Sequence, residues 1–306
     1  MLIPVLVIAG QTAVGKTDLS IELAEMYQAE IISADSRQVY KYLDIGTAKP
    51  PKAILKRLNH HFINHISPDI KYTAGDFAQE ARQKINELRS IQKNVIVAGG
   101  SGLYIKALLE GIINDIKVDH EIQNSLYRRL KDEGVYELYN DLKRIDPDLA
   151  KRISSNDKQR ILRGLEVYYS AGIRLSEMQK ADEEPAAFPY IKIGLNMKRE
   201  ALYSRINARA DMMMNDGLVE EVKSLINLGY ENTNALNTVG YKEIIRFLKN
   251  EIDYDSCITL IKQNTRRYAK RQMTWFRKDT SINWFNLPDT DIIEKISSLI
   301  REKNKQ

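Results

Sequence analysis

The segment Gly10-Gln11-Thr12-Ala13-Val14-Gly15-Lys16-Thr17 carries the sharpest chemical signal in the chain. It fits G-x-x-x-x-G-K-[ST], with an apolar run before it and helical spacing after it. Glycines let the backbone curl until consecutive N–H groups face one phosphate. The helix that opens behind the loop adds the positive end of its dipole. Lys16 contributes a mobile positive charge, and Thr17 a hydroxyl that can meet Mg²⁺. ATP or GTP is the default ligand of such a loop, so an NTPase or nucleotide kinase is the starting reading.

The acids around the loop do not match that reading. An NTPase places an Asp at the end of a buried strand to hold Mg²⁺. Here the apolar run Val95–Ala98 ends in Gly99-Gly100-Ser101-Gly102, and the chain has no guanine-type N-K-x-D element. A different carboxylate is available. The run Ile31-Ile32-Ser33-Ala34 ends in Asp35, at the carboxyl edge where open α/β sheets bind ligands. Asp35 reads as a general base or metal-linked acid, or as a cap of the turn Ser36-Arg37-Gln38.

These residues need a frame. Ile3–Ala9, Glu30–Ala34, Asn94–Ala98 and Tyr190–Leu195 read as buried strands, and Ile282–Phe285 as a last short one. Lys16–Tyr27, with Leu19, Leu23 and Met26 at helical spacing, and Ala74–Ile91 read as helices, as does the segment up to about Glu110. Between about Ile112 and Pro189 the periodicity is helical: Glu121–Lys131, Val135–Ile145 and Asp157–Ser170 are expected helices, with breaks at Gly134 and Pro147 and an exit linker over Glu183–Pro189. Single long helices follow near Glu200–Leu228, Tyr241–Lys249 and Tyr254–Met273. The expected fold is α/β: a P-loop-type parallel-sheet core flanked by helices, carrying an inserted all-helical domain. The expected domains are residues 1–112 (first part of the core), 113–189 (the insertion) and 190–306 (the rest of the core with C-terminal helices).

Several strings then coincide in order: GQTAVGKT, ADSRQVYKYLDIGTAKP, VAGGSGLYIKALLEG, NDKQRILRGLEVYYSAG and KRQMTWFRK. Together, from Val5 to about Lys278, they resemble the tRNA dimethylallyltransferase (tRNA isopentenyltransferase) family. The resemblance implies transfer of a dimethylallyl group from dimethylallyl diphosphate to N6 of adenosine 37, beside the tRNA anticodon, with Mg²⁺ as cofactor. It also implies a role for each matching residue. Gly10 to Thr17 hold the diphosphate, with Thr17 at the metal. Asp35 is the base for the N6 proton. Asp35, Ser36, Arg37 and Gln38 lie against tRNA, as does Ser101, which stands where relatives often carry threonine. Gln159, Arg160, Ile161, Leu162 and Arg163 match a tRNA-contacting Q-R-x-x-R segment. Arg209 matches an arginine on the diphosphate, so Asp35, Lys16, Thr17 and Arg209 form the implied catalytic set. Gln123 stands near where some relatives place a basic residue at the tRNA, and here that charge is missing.

The chemistry of allyl transfer asks for these types. Negative charge builds on the departing diphosphate, so cations belong there, and a weakly nucleophilic amine needs a proton acceptor. Its base must also leave the anticodon stack to reach a protein site. Arg160 and Arg163 share a helix face, as do Arg205 and Arg209. Ser256–Lys278 contains no acid but includes Lys262, Arg266, Arg267, Lys270, Arg271, Arg277 and Lys278, interleaved with Tyr268, Trp275 and Phe276. That pattern suits a nucleic-acid backbone. His60, His61 and His65 lack the partners of a zinc site and read as structural. Met212-Met213-Met214 reads as packing rather than as a lining for the prenyl chain.

Bulk properties agree. In 306 residues, 43% hydrophobic and 28% charged with net charge +5, a full core is available. The single cysteine, Cys257, excludes an internal disulfide and points to a cytoplasmic setting. No run approaches about 20 apolar residues, so no membrane span is expected, and the apolar N-terminus reads as a strand rather than a signal peptide. A monomer is expected. The rival readings are a nucleotide kinase-like enzyme, a prenyltransferase of free adenine nucleotides and a non-catalytic RNA-binding protein. The insertion and the basic segment disfavour the second, because a free nucleotide gives them little to hold.

Overall fold

The computed structural model describes residues 2–111, 118–181 and 185–305. The chain divides into two compact units: residues 1–108 with 186–306, and residues 109–185. The expected boundary between 112 and 113 and the first two residues of the expected linker, 183 and 184, lie outside the described residues.

The first unit is built on six parallel strands: β1 (Val5–Gly10), β2 (Ala29–Ser33), β3 (His60–His61), β4 (Asn94–Gly99), β5 (Tyr190–Met197) and β6 (Asn283–Leu287). Their order across the sheet is β3-β2-β4-β1-β5-β6. Every residue of β1 is buried, as its unbroken apolar run requires of a central strand covered on both faces. Val7 pairs with Val97 on one side and Lys192 on the other. The helices of this unit are α1 (Lys16–Tyr27), α2 (Lys52–Arg57), α3 (Ala74–Ser90) and α4 (Gly102–Glu110), then, after the second unit, α10 (Arg199–Asn215), α11 (Leu218–Asn227), α12 (Tyr241–Leu248), α13 (Tyr254–Phe276) and α14 (Ile292–Lys303). The second unit contributes α5 (His120–Asp132), α6 (Val135–Ile145), α7 (Pro147–Arg152), α8 (Lys158–Ala171) and α9 (Leu175–Ala181), and only helices among its described residues.

The strand order decides where a site can form. From β1 the chain crosses toward β2, on the far side of β4. From β4 it leaves to return as β5, on the far side of β1. The connections after β1 and β4 therefore diverge, and a crevice opens between the carboxyl ends of these neighbours. Both glycine-rich segments, Gly10–Gly15 and Gly99–Gly102, lie at that crevice, with the end of β2 beside them.

One expectation is corrected and another is refined. The helix near Glu200–Leu228 is two helices. Asp216 ends α10, and Gly217, at φ 98°, starts α11 in a left-handed conformation that a glycine adopts without a Cβ clash. Pro147 does more than break a helix. It opens α7, where its missing N–H costs nothing, and Asp146 caps the turn by accepting from Leu149 N at 3.0 Å and Ser176 N at 2.9 Å. Met26 is exposed, so the buried face of α1 is Leu19, Leu23 and Ala24.

In the second unit, Leu126, Leu138, Leu142, Leu149, Ile161, Leu162 and Leu165 form one core. In the first, a cluster including Leu6, Ile8, Leu23 and Ile96 fills the sheet faces, and another around Tyr40, Leu43, Leu218 and Tyr241 joins the segment after β2 to α10–α13. At about 25 cal/mol per Å² of apolar surface, each fully buried side chain of this size contributes roughly 2 kcal/mol. No helix among the described residues is long and apolar enough to cross a membrane.

Candidate active site

The loop between β1 and α1 takes the shape its sequence demands. Gly15 sits at φ 112° and precedes α1 without a side-chain cap. The first-turn N–H groups of α1 are thus left for an anion. Lys16 folds back and donates from Nζ to the Gln11 carbonyl at 2.7 Å. Burial lowers its pKa to about 8, with Asp35 opposing and Arg209 reinforcing that shift.

One cavity is lined by the loop and first turn of α1 (Thr12, Ala13, Gly15, Lys16, Thr17, Asp18), by Ser33, Asp35, Gln38, Thr47 and Ala48 at and after β2, by Ala98, Gly99 and Gly100, and by Arg209, Tyr268 and Gln272. Three strand ends and three helices, α1, α10 and α13, thereby converge on the crevice. Arg209 reaches it from α10, with its pKa lowered by burial and then by its neighbour Arg205, against the pull of Asp18. Arg205, one turn earlier on the same face, donates to the Val14 carbonyl at 3.5 Å.

Asp35 is fixed by backbone. Ala34 N donates to the Ala98 carbonyl at 2.9 Å, and Ser101 N donates to the Ala34 carbonyl at 3.2 Å. This close approach requires Gly99: a Cβ there would stand 2.0 Å from the Ala34 oxygen. Asp35 Oδ1 accepts from Arg37 N at 2.9 Å and Gln38 N at 3.3 Å. Oδ2 has no hydrogen-bond partner among the described residues. The cap reading of Asp35 is therefore realised by one oxygen, while the cavity keeps the other.

Ser101 is brought to the same place. Its Oγ accepts from Ser36 N at 2.9 Å and donates to Ser36 Oγ at 3.2 Å. Arg37 donates to the Asn234 carbonyl at 2.6 Å. Gln38 is tied down, with Oε1 accepting from Ser33 Oγ at 3.0 Å and Nε2 donating to the Thr47 and Ala48 carbonyls at 3.1 and 3.2 Å. A second cavity, lined among others by Ser36, Arg37, Tyr40, Tyr72, Ser101, Tyr104, Arg271 and Trp275, shares Gly100, Tyr268 and Gln272 with the first.

Gln272 is a residue that sequence reasoning passed over, although it stands inside the string KRQMTWFRK. Its Oε1 accepts from Thr12 N at 2.8 Å, and its Nε2 donates to the Gly100 carbonyl at 2.9 Å. Gln11 adds a parallel tie from Nε2 to the Ala269 carbonyl at 3.1 Å. Helix α13 thus binds both glycine loops from above. A buried glutamine leaves no mark in hydrophobic periodicity, so only its place among aromatic and basic residues could have drawn notice. Gln272→Ala strands a buried donor and acceptor, and is expected to lower stability by roughly 1–3 kcal/mol, read as a lower urea midpoint together with weaker binding of inorganic diphosphate.

In the second unit, Gln159 and Arg160 are exposed on α8 and Arg163 is partly so. Arg160 pairs with Asp157 at 3.3 Å and Arg163 with Glu166 at 3.9 Å. The Arg160–Asp157 pair is solvent-exposed and therefore weak, whereas the Glu166 carboxylate beside Arg163 is buried. The side chains of Ile161 and Leu162 belong to the unit's core, so the exposed side chains of this string are those of Gln159 and Arg160, with Arg163 partly so. Gln123 donates to Glu166 Oε1 at 3.0 Å.

On α13, Arg267, Lys270, Arg271 and Trp275 are exposed, as are Arg277 and Lys278 after it. Lys262 pairs with Asp211 at 2.6 Å, Arg266 donates to Asn207 at 2.6 Å, and Phe276 is core. The basic segment is thus partly structural. His61 pairs with Glu30 and His65 with Glu80, each at 2.7 Å, while His60 Nδ1 meets the Leu58 carbonyl at 2.8 Å. Met214 is buried and Met212 exposed, and neither lines the cavity. Burial pushes the Cys257 thiol up to about 11, which leaves it unreactive.

Sheet, loop and crevice define a P-loop α/β protein whose carboxylate lies on the second strand's end. The IPP transferase family model matches residues 38–279. The chain is 43% identical over 295 residues to the tRNA dimethylallyltransferase of Acetivibrio thermocellus, covering 95% of this chain and 94% of that protein. It is 45% identical over 286 residues to tRNA dimethylallyltransferase 1 of Syntrophotalea carbinolica, covering 92% and 91%. Among solved structures, the full-length tRNA isopentenylpyrophosphate transferase of Bacillus halodurans aligns with a TM-score of 0.73 at 34% identity over 99% of this chain and 98% of that one. A eukaryotic dimethylallyltransferase acting on tRNA aligns with a TM-score of 0.81 at 30% identity, over 95% and 77%. This chain belongs to the IPP transferase family.

Proposed function

We propose that this enzyme transfers a dimethylallyl group from dimethylallyl diphosphate to N6 of the adenosine at position 37 of tRNA, releasing diphosphate. One observation carries the assignment of sites: Asp35 and the cationic pair Lys16 and Arg209 line one cavity, and an aromatic-walled cavity beside Ser36, Arg37 and Ser101 shares its partition. The diphosphate rests on the loop Gly10–Thr17 and the first turn of α1. The adenine enters from the aromatic side, out of its stack. As N6 attacks the allyl carbon, the carbon–oxygen bond breaks and its electron pair leaves with diphosphate, whose charge Lys16 and Arg209 offset. Asp35 Oδ2 takes the N6 proton.

Mg²⁺ fits this donor set. Thr17 offers an exposed hydroxyl at the loop's end, and Mg²⁺ on a diphosphate draws most of its oxygens from phosphate and water. Bound there, it would neutralise charge on the leaving group. Exposed Gln159 and Arg160 and partly exposed Arg163 on α8, and Arg267, Lys270, Arg271, Arg277 and Lys278 on and after α13, are suited to RNA phosphates. The single buried thiol and the substrate suit a cytoplasmic monomer.

Purified protein given dimethylallyl diphosphate, Mg²⁺ and an anticodon stem-loop is expected to yield prenyl-adenosine in the RNA. The reading fails if no such nucleoside forms, or if ATP is consumed without RNA, which the kinase-like alternative requires.

A further inference from the structure

Away from the reacting groups, one carboxylate gathers an unusual set of donors. Glu221 lies on α11, and its Oε2 accepts from Asp44 N at 3.0 Å and Ile45 N at 2.7 Å. Its Oε1 accepts from Gly46 N at 3.2 Å and from the Tyr241 hydroxyl at 2.6 Å. Three successive backbone amides and a buried phenol thus close on a single side chain, the arrangement by which a backbone nest holds an anion. The fit is tight: a Cβ on Gly46 would stand 2.5 Å from the Tyr241 ring. The loop continues directly into Thr47 and Ala48, which line the phosphate cavity and whose carbonyls hold Gln38. Gln38 in turn supplies one of the two amides on Asp35.

We propose that Glu221 is a positioning residue for the transfer reaction, its carboxylate fixing the 44–48 loop against α11 so that Gln38 and Asp35 keep their places in the cavity. Tyr241 supports it from α12. The role rests on the function proposed above, although the loop-fixing step does not. Lys49, at the loop's end, is a second anchor, donating to the Tyr40 carbonyl at 2.6 Å and Asn64 at 2.6 Å. The loop therefore stays attached when Glu221 is changed, and its loosening is local.

The test is Glu221→Gln in the full chain, with Tyr241→Phe beside it. A glutamine keeps one accepting oxygen but removes the charge and sets its Nε2 donor against one side of the nest, such as the Gly46 amide, whereas Tyr241→Phe removes one donor of four. For Glu221→Gln, hydrogen exchange of the amides in residues 44–48 is expected to rise by about tenfold or more while protection elsewhere is retained. Turnover falls by about tenfold or more, with the KM for stem-loop RNA changed less than about twofold. Tyr241→Phe lowers turnover by less than about threefold. Unchanged exchange, or faster exchange with unchanged turnover, overturns the proposal. So does a loss that tracks global melting, with protection and both substrate KM values failing together. If the wild type itself makes no prenyl-adenosine, the function reading falls alone, and binding of inorganic diphosphate decides. Weakening by about tenfold in Glu221→Gln supports a positioned cavity, and equal binding overturns it.

Discussion

Asp35→Asn is expected to lower the rate of prenyl transfer by about three orders of magnitude, within the range by which a positioned general base contributes, while leaving RNA affinity and folding close to wild type. The choice of asparagine follows from the geometry. Oδ1 of Asp35 accepts from the Arg37 and Gln38 amides, and an asparagine keeps that acceptor, so the turn into Gln38 survives. What it removes is the proton-accepting character of Oδ2, the oxygen without a partner among the described residues. Asp35→Ala would remove both and confuse a lost cap, itself about 1 kcal/mol, with a lost base. The measurement is a single-turnover rate at saturating RNA and dimethylallyl diphosphate, beside an RNA titration and a urea midpoint. A rate within about threefold of wild type would reduce Asp35 to a turn cap. A parallel fall in RNA affinity would make it a recognition residue instead.

What the sequence disclosed and what it concealed divide along contact distance. The loop Gly10–Thr17 was legible because its motif is local, with strand, glycines, lysine and helix adjacent in the chain. The strands at β1 and β4 were legible because burial on both faces leaves unbroken apolar runs, and β5 because its run is interrupted by only one charge, Lys192. β3 was not, since two histidines pairing with Ile31 and Ile32 carry no strand pattern of their own. The break at Asp216-Gly217 could have been read from the glycine, but continuous helical periodicity on both sides masked it. The spacing of Ile292, Ile296 and Ile300 announced α14, whose one buried stripe they form, and it was passed over. Ile161 and Leu162 came with a string that resembles a tRNA contact, and periodicity alone would have put them in the core. Glu221 and Gln272 were beyond reach: the backbone groups they hold lie more than a hundred residues away, and only the folded chain brings them together.

Lys16→Met is expected to cost about two to three orders of magnitude in kcat/KM for dimethylallyl diphosphate and, against intuition, to spare or raise stability at neutral pH. Both follow from one fact: burial holds the Lys16 pKa at about 8, below its ordinary 10.5. The unfolded chain keeps the proton up to about 10.5, while the folded chain has released it above about 8. Between these values the unfolded state binds more protons, so stability contributed at this site rises with pH across that window. Below pH 8 the folded protein carries a buried charge at a cost, which methionine removes along with the bond to the Gln11 carbonyl. Substrate binding runs the other way. The diphosphate needs the ammonium, so the KM of the wild type is expected to rise above about pH 8, approaching tenfold per pH unit, whereas Lys16→Met, already lacking the charge, shows a flat profile there. A KM profile from pH 6.5 to 10 on both proteins, at fixed ionic strength, decides it. A wild-type KM that stays level through pH 9 would mean that Lys16 does not carry the diphosphate's charge, and would leave Arg209 as the cation to test next.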